Sequence, residues 1–296
     1  IADFLPGVKR VLGKLLKKIP TAEVTPLAGK KTLKFMDVIR ETPTAPVDVP
    51  RGFDDPIFIM YTGGTTGPAK GAVLTHRGYM CNRQQVLAWT DILAEDTILS
   101  AFPLFHIAGL ALGGFCMAHG TTQICVPNPR DTHFIIEAIK SYRPHYIVNV
   151  PTVFYELMKN PAFKRLDLSN LKWCLSAAAP FPKESIGELE AIIGKKKLCE
   201  GYGMTETTGI THMSSEVDYK VGTVGKALPE TQVKIAEDGE ILVKHTGIFK
   251  GYYKDEEQTK EVLVDGWMHT GDVGIIDDEG YLKLTDRKKD LIITAG

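Results

Sequence analysis

The chain lacks the features that mark secreted, membrane-spanning and nucleic-acid-binding proteins. Its five cysteines, Cys81, Cys116, Cys125, Cys174 and Cys199, are odd in number, far apart and never in a C-x-x-C pair. That speaks against a disulfide framework and a zinc site, and it suits a reducing compartment. No run approaches the roughly 18 apolar residues that a spanning helix needs. The first stretch, residues 1–18, is basic and amphipathic rather than an apolar leader. Neither sign of charge dominates: 35 Lys and Arg against 36 Asp and Glu leave a net charge of -1. No global field therefore favours nucleic acid or an anionic membrane, and any phosphate binding must be local. Internal repeats and low-complexity stretches are also missing. The expectation is a cytoplasmic protein without a transmembrane segment or a nucleic-acid partner, with peripheral membrane contact and a homo-oligomer left open.

What is present suits a folded chain. Its 296 residues are 44% hydrophobic and 24% charged, enough to bury a substantial core. Residues 1–55 combine a Lys-rich helical stretch at 8–18 with prolines at 43, 46 and 50, and read as a connector or partial N-terminal segment. From Ile57 strand-like runs (57–62, 72–75, 97–101, 122–126, 146–150, 171–176, 197–199) alternate with helical patterns (78–92, 107–119, 133–142, 152–159, 183–193). That alternation predicts an α/β fold with a mostly parallel, layered sheet over 56–213. Beyond about Ser214 short strands and tight turns predict a small β-rich subdomain over 214–285, followed by a charged segment, 286–296.

Between the first two strands lies Tyr61-Thr62-Gly63-Gly64-Thr65-Thr66-Gly67-Pro68-Ala69-Lys70-Gly71. Glycines let the backbone approach phosphate oxygens, and threonine hydroxyls and a terminal lysine add donors. Glycines alone would equally serve a hairpin without a ligand. A Walker A loop is ruled out: aligning Gly64 and Lys70 puts Ala69 where the second glycine belongs and Gly71 where the metal-binding hydroxyl belongs. Downstream, His106 precedes a helical run and Asn149-Val150-Pro151-Thr152 has the form of a helix start. Small residues fill Ser176-Ala177-Ala178-Ala179-Pro180, where a left-handed turn would be uncomfortable for alanine. Then come Glu200-Gly201-Tyr202-Gly203-Met204-Thr205-Glu206, Gly266-Trp267-Met268-His269-Thr270-Gly271-Asp272 and Asp286-Arg287-Lys288-Lys289-Asp290.

In this order, over residues 53–296, these motifs resemble those of the AMP-forming acyl-CoA synthetases of the adenylate-forming superfamily, long-chain fatty acid–CoA ligases in particular. The loop resembles the signature YTSGTTGxPKG, with Gly63 and Ala69 as departures toward the fatty acyl branch. The resemblance implies the layered αβα large domain of the adenylate-forming fold with a β-rich subdomain, and a C-terminal small domain beyond Gly296 that carries the family's catalytic lysine. It implies ATP/AMP and Mg2+ binding, with coenzyme A as co-substrate and a small-molecule carboxylic acid, medium- or long-chain, as the group activated. Catalytic roles fall by resemblance on His106 at the acyl site, Lys70, Thr205 at the α-phosphate and Glu206. Metal contacts fall on Glu206 and Thr62. Nucleotide contacts fall on Thr62, Gly63, Gly64, Thr65, Thr66, Gly67, Lys70, Ala178, Ala179, Pro180, Gly201, Tyr202, Gly203, Met204, Thr205, Asp272 at the ribose, and Arg287. Leu110 stands where some long-chain members carry a gating tryptophan. Residues 286–296 match the hinge to the small domain, so adenylation by this chain alone is expected to be weak. Two other readings stay open: an adenylation domain loading a carrier-protein thiol, and a nucleotide-binding fragment without turnover.

Overall fold

The computed structural model describes residues 7–16, 19, 28–63 and 69–288. They divide into two compact units, Ile1–Arg51 and Gly52–Gly296. The first holds two short helices, α1 (Gly7–Leu15) and α2 (Phe35–Glu41), neither of which has a side chain described as buried.

The second unit is built on three sheets. The largest has seven strands in the order β4-β3-β5-β6-β7-β8-β9: β3 (Thr97–Ser100), β4 (Thr122–Cys125), β5 (Tyr146–Asn149), β6 (Trp173–Ala177), β7 (Leu198–Met204), β8 (Gly209–Met213) and β9 (Lys226–Ala227). From β4 to β7 every pairing is parallel, and β8 and β9 join antiparallel. A second, antiparallel sheet pairs β1 (Pro56–Thr62) with β2 (Lys70–Thr75) and β2 with β12 (Gly251–Tyr252). The third runs β10 (Gln232–Ile235), β11 (Glu240–Lys244), β14 (Trp267–Ile276) and β13 (Leu263–Val264), with β15 (Leu282–Arg287) also on β14.

Apart from the edge strand β4, the parallel strands are buried on both faces, which is why they read as short unbroken apolar runs. On β6 the residues alternate: Trp173, Leu175 and Ala177 belong to one core, Cys174 to the other. The Cys174 side is covered by α5 (Thr132–Tyr142), α6 (Pro151–Lys159) and α7 (Lys183–Ile193), through Ile135, Ile139, Phe154, Leu157, Leu189 and Ile193. Each fully buried Leu or Phe there contributes about 2 kcal/mol through the area removed from water. The Trp173 side is covered by α3 (His76–Trp89) and α4 (Ile107–His119), and Cys199 and Cys116 are buried in that core. All five cysteines are free, and Cys125 on the β4 edge is exposed.

Local chemistry sets the helix ends. Thr75 Oγ1 accepts the Gly78 N–H at 3.0 Å to start α3, and Asp131 Oδ1 accepts Phe134 N–H at 2.9 Å to start α5. Pro151 occupies the first position of α6. Gly120, at φ 85°, closes α4. A last helix, α8 (Glu256–Val262), packs between β12 and β14. Among the described residues no helix is long and apolar enough to cross a membrane.

Candidate functional site

Strand β7 supplies the centre of the site. After Met204 the chain turns through a single 3-10 turn, Thr205–Thr207, because Thr207 Oγ1 accepts the Met204 N–H at 2.9 Å and donates to Gly209 O at 2.8 Å. The returning backbone comes so near that a Cβ on Gly203 would lie 2.0 Å from Gly209 O, so only glycine fits. The turn places Glu206 beside Tyr252 of β12, whose hydroxyl donates to Glu206 Oε1 at 2.8 Å. Burial, and then the neighbouring carboxylate, raise the Tyr252 phenol well above its ordinary range. Lys70 stands at the start of β2, its Nζ 5.2 Å from the centroid of the same ring and hydrogen-bonded to Gln258 Oε1 of α8. Lys70 and Glu206, 136 positions apart in sequence (206 less 70), thus flank one tyrosine. The second Glu206 carboxylate oxygen takes no hydrogen bond among the described residues.

Asp272 is held by Tyr202 of β7. Its Oδ2 accepts the Tyr202 hydroxyl at 2.7 Å, and its Oδ1 lies 3.2 Å from Nε of Arg287, its cross-strand partner on β15. The aspartate is 7% exposed, and the Tyr202 ring is buried with Val224, Ile241, Val243 and Leu282. Desolvation, then the Asp272 charge, push the Tyr202 phenol far up, so it stays a neutral donor. Glu240 fixes the loop from beneath: Oε1 accepts the Gly271 N–H at 2.8 Å, and Oε2 meets His269 Nδ1 at 3.0 Å and Lys288 Nζ at 2.9 Å.

A cavity of about 110 Å3 opens between the large sheet and helices α3 and α4. Of the residues singled out in the sequence, His106, Ala178, Gly201, Gly203 and Met204 line it; the rest of its wall is overwhelmingly apolar. His106 caps α4, its Nδ1 accepting the Ala108 N–H at 3.2 Å, so the neutral ring carries its proton on Nε2. Partial desolvation lowers its pKa. Ala178 follows β6 at φ 69°, a left-handed conformation in which its Cβ is strained.

Thr62, Lys70, Thr205, Glu206, Asp272 and Arg287 do not line that cavity; Lys70 and Glu206 meet at Tyr252, and Asp272, which Arg287 flanks, meets β7 at Tyr202. Thr62 pairs with Lys70 across the β1–β2 hairpin and its hydroxyl donates to Lys70 O at 3.4 Å. Gly63, Ala179 and Pro180 are exposed. Gly64, Thr65, Thr66 and Gly67 lie outside the described residues. The charged segment is described to Lys288, the last residues of the expected hinge lying beyond it. Sequence reasoning did not single out Tyr252, Gln258 or Glu240, each of which acts through a partner far away in the chain. Among the described residues no three His, Cys, Asp or Glu side chains gather as a metal cluster.

Residues 6–253 match the family described as AMP-binding enzyme. The chain belongs to that family. This family member is 34% identical over 259 residues to the long-chain-fatty-acid–CoA ligase of Salmonella typhimurium, covering 82% of this chain and 46% of that one. It resembles the N-terminal domain of FACL13 from Mycobacterium tuberculosis, crystallised with an inhibitor, at a TM-score of 0.77 and 31% identity, covering 85% of this chain and 65% of that one. O-succinylbenzoate coenzyme A synthetase from Bacillus subtilis, in complex with AMP, superposes with a TM-score of 0.80 at 27% identity, covering 89% of this chain and 56% of that one. The fold is therefore that of the large domain of adenylate-forming enzymes, as the motif order implied. The chain spans about half the length of the curated relatives it matches.

Proposed function

We propose that this chain binds adenylate and serves an AMP-forming acyl-CoA ligase. In that reaction a carboxylate oxygen attacks the α-phosphorus of ATP, the bond to pyrophosphate breaks, and acyl-AMP forms. A coenzyme A thiol then attacks the acyl carbon and AMP leaves. The observation that carries the reading is the double bracket on β7: a sugar-type acceptor, Asp272, held by Tyr202 and Arg287, and a Lys70–Tyr252–Glu206 group a few residues further on, with an apolar cavity opening at Ala178 between the large sheet and helices α3 and α4.

On this reading Asp272 accepts both ribose hydroxyls, which a carboxylate does better than a neutral group. Arg287 holds that carboxylate and contacts the nucleotide. Thr62, Gly63, Gly64, Thr65, Thr66, Gly67 and Lys70 cradle the phosphates, and Ala178, Ala179, Pro180, Gly201, Gly203 and Met204 pass along the purine. Thr205 offers a hydroxyl to the α-phosphate, and His106 stands where the carboxylate enters. Catalysis by these groups is positioning and charge neutralisation at phosphorus.

Glu206 also fits a magnesium ion. Its second oxygen, which takes no hydrogen bond among the described residues, is a hard donor, and magnesium takes one or two carboxylates and completes its shell with phosphates and water. When bound, the ion neutralises phosphate charge.

Two measurements test the proposal: AMP binding by calorimetry, and isotope exchange between pyrophosphate and ATP with fatty, aromatic and amino acids. AMP binding with exchange on fatty or aromatic acids supports it. Exchange confined to amino acids would instead favour a domain loading a carrier thiol, and AMP binding without exchange a nucleotide-binding segment.

A further inference from the structure

The apolar cavity has a direction. Trp173, Leu175 and Ala177 alternate along β6 and face it together, and Ala178, where the strand ends, also lines it. Side chains thus grow from the nucleotide end inward: Ala177, then Leu175, then the indole of Trp173. From Ala177 to Trp173 is four strand steps of about 3.3 Å, or about 13 Å. An extended alkyl chain built from bonds of about 1.5 Å advances about 1.3 Å per bond, so this length takes about ten carbon–carbon bonds.

At the inner end the cavity meets a wall. Trp173 and Met213 also line a second cavity, of about 200 Å3, whose remaining lining includes Trp89, Thr90 and the carboxylates Asp91 and Glu216. The same two side chains therefore separate an apolar space from an acidic one. The ring of Trp173 and the backbone of Met213 are held in place. The Trp173 ring lies 4.4 Å from the Tyr146 ring, and Tyr146 is tied down by its hydroxyl, which donates to Asp96 Oδ2 at 3.0 Å. Trp89 Nε1 donates to Met213 O at 3.0 Å. Trp173 and Met213 are 4% and 1% exposed, so neither can swing into solvent without opening the core.

We propose that Trp173 and Met213 are the chain-length determinants of this protein, closing the acyl cavity so that it selects straight-chain acids of medium length. The inference rests on the reading above that this cavity takes the acyl group. An acid longer than the ruler must displace a packed indole, and would then deliver its apolar end between Asp91 and Glu216. Both steps disfavour it.

The test is calorimetric titration of the 296-residue chain, saturated with AMP, with straight-chain carboxylates from about six to about eighteen carbons. Affinity should rise about threefold per added methylene to about twelve carbons, then fall at least about tenfold by sixteen. Trp173→Leu should move the maximum up by about four carbons, and Leu175→Phe down by about two. Met213→Ala should move it in the same direction as Trp173→Leu and stands in for it if that variant does not fold. A variant that is merely damaged lowers affinity for all lengths alike and leaves the maximum in place; that result overturns the assignment. So does an affinity in the unmutated protein that keeps rising to eighteen carbons. AMP binding without carboxylate binding at any length removes the acyl cavity and the ruler together, whereas failure to bind AMP removes the adenylate reading first.

Discussion

Ala178 adopts a backbone conformation that its own side chain opposes, at φ 69° in an exposed loop against the cavity. Left-handed geometry costs an alanine about 1–2 kcal/mol, partly offset for glycine by the entropy of its unfolded chain. Ala178→Gly is therefore expected to raise unfolding stability by about 1 kcal/mol in a urea titration while leaving AMP affinity within about twofold. Asp272 behaves oppositely. Replacing it by alanine leaves the Tyr202 hydroxyl buried without its acceptor and removes the ribose acceptor, so AMP binding should weaken by about tenfold to a hundredfold and stability should fall by about 1–3 kcal/mol. An Asp272→Ala chain that binds AMP as well as the original would remove the sugar-holding role. Residues of this kind were legible because each sits in a dense local motif. Tyr252 and Glu240 were not, since nothing within ten residues of either shows the carboxylate or the loop it supports. Only pairing of β12 with β2 brings the tyrosine to Lys70, and pairing of β11 with β14 brings Glu240 beneath Gly271.

At the level of elements, the parallel strands and the helices between them were legible to within a few residues, because strands buried on both faces make compact apolar runs bounded by turn residues. Strand β7 runs on to Met204, past the expected end at 199, since Gly201 and Gly203 read as loop when in fact they permit close packing. Helix α8 was missed for a different reason: Glu-Glu-Gln-Thr-Lys-Glu-Val offers no apolar stripe, has no buried residue and is started by its cap, Asp255. Strand β14 was only partly legible because Gly271 and Gly274 interrupt it. The tightest approach of backbone to a glycine is also the sharpest to test. Gly203→Ala would force a Cβ to within 2.0 Å of Gly209 O, backbone against backbone. The expected result is a loss of about 3 kcal/mol or more of stability, read as a lowered urea midpoint, with the 205–207 turn displaced and AMP binding lost with it.

For the molecule as a whole, three of the most deeply buried titratable groups shape the response to acid. Desolvation lowers His212 to about 3, with His245 adding to the shift, and lowers His245 to about 4; the Nε2 atoms of both are buried without a partner. A histidine so depressed costs nothing while both states are neutral, and removes stability as pH falls below the unfolded value of about 6.5, because the unfolded chain takes the proton first. Glu200 works the other way. Burial, partly offset by the Phe181 N–H and Lys183, raises it to about 7, so its contribution is complete below about 4.5 and disappears as pH rises through 7. Between about pH 7.5 and 5.5 the two histidines remove about 3 kcal/mol and Glu200 restores about 2, leaving a loss near 1 kcal/mol. Glu200→Gln should expose the histidine term, tripling the loss in urea unfolding over that interval; an unchanged loss would show that Glu200 does not hold a proton in the fold. The seven-stranded sheet carries a readout of its own integrity as well. Cys174 and Cys199 sit on opposite faces of adjoining strands, both 0% exposed, with thiols that burial makes inert, whereas Cys125 on the sheet edge is open to reagent. Timed alkylation, with each site followed separately so that half-buried Cys81 and buried Cys116 are counted apart, would therefore mark Cys125 at once and the other two only as often as β6 and β7 lose their cover, so the labelling rate at Cys174 and Cys199 clocks the opening of the layer that holds the site together.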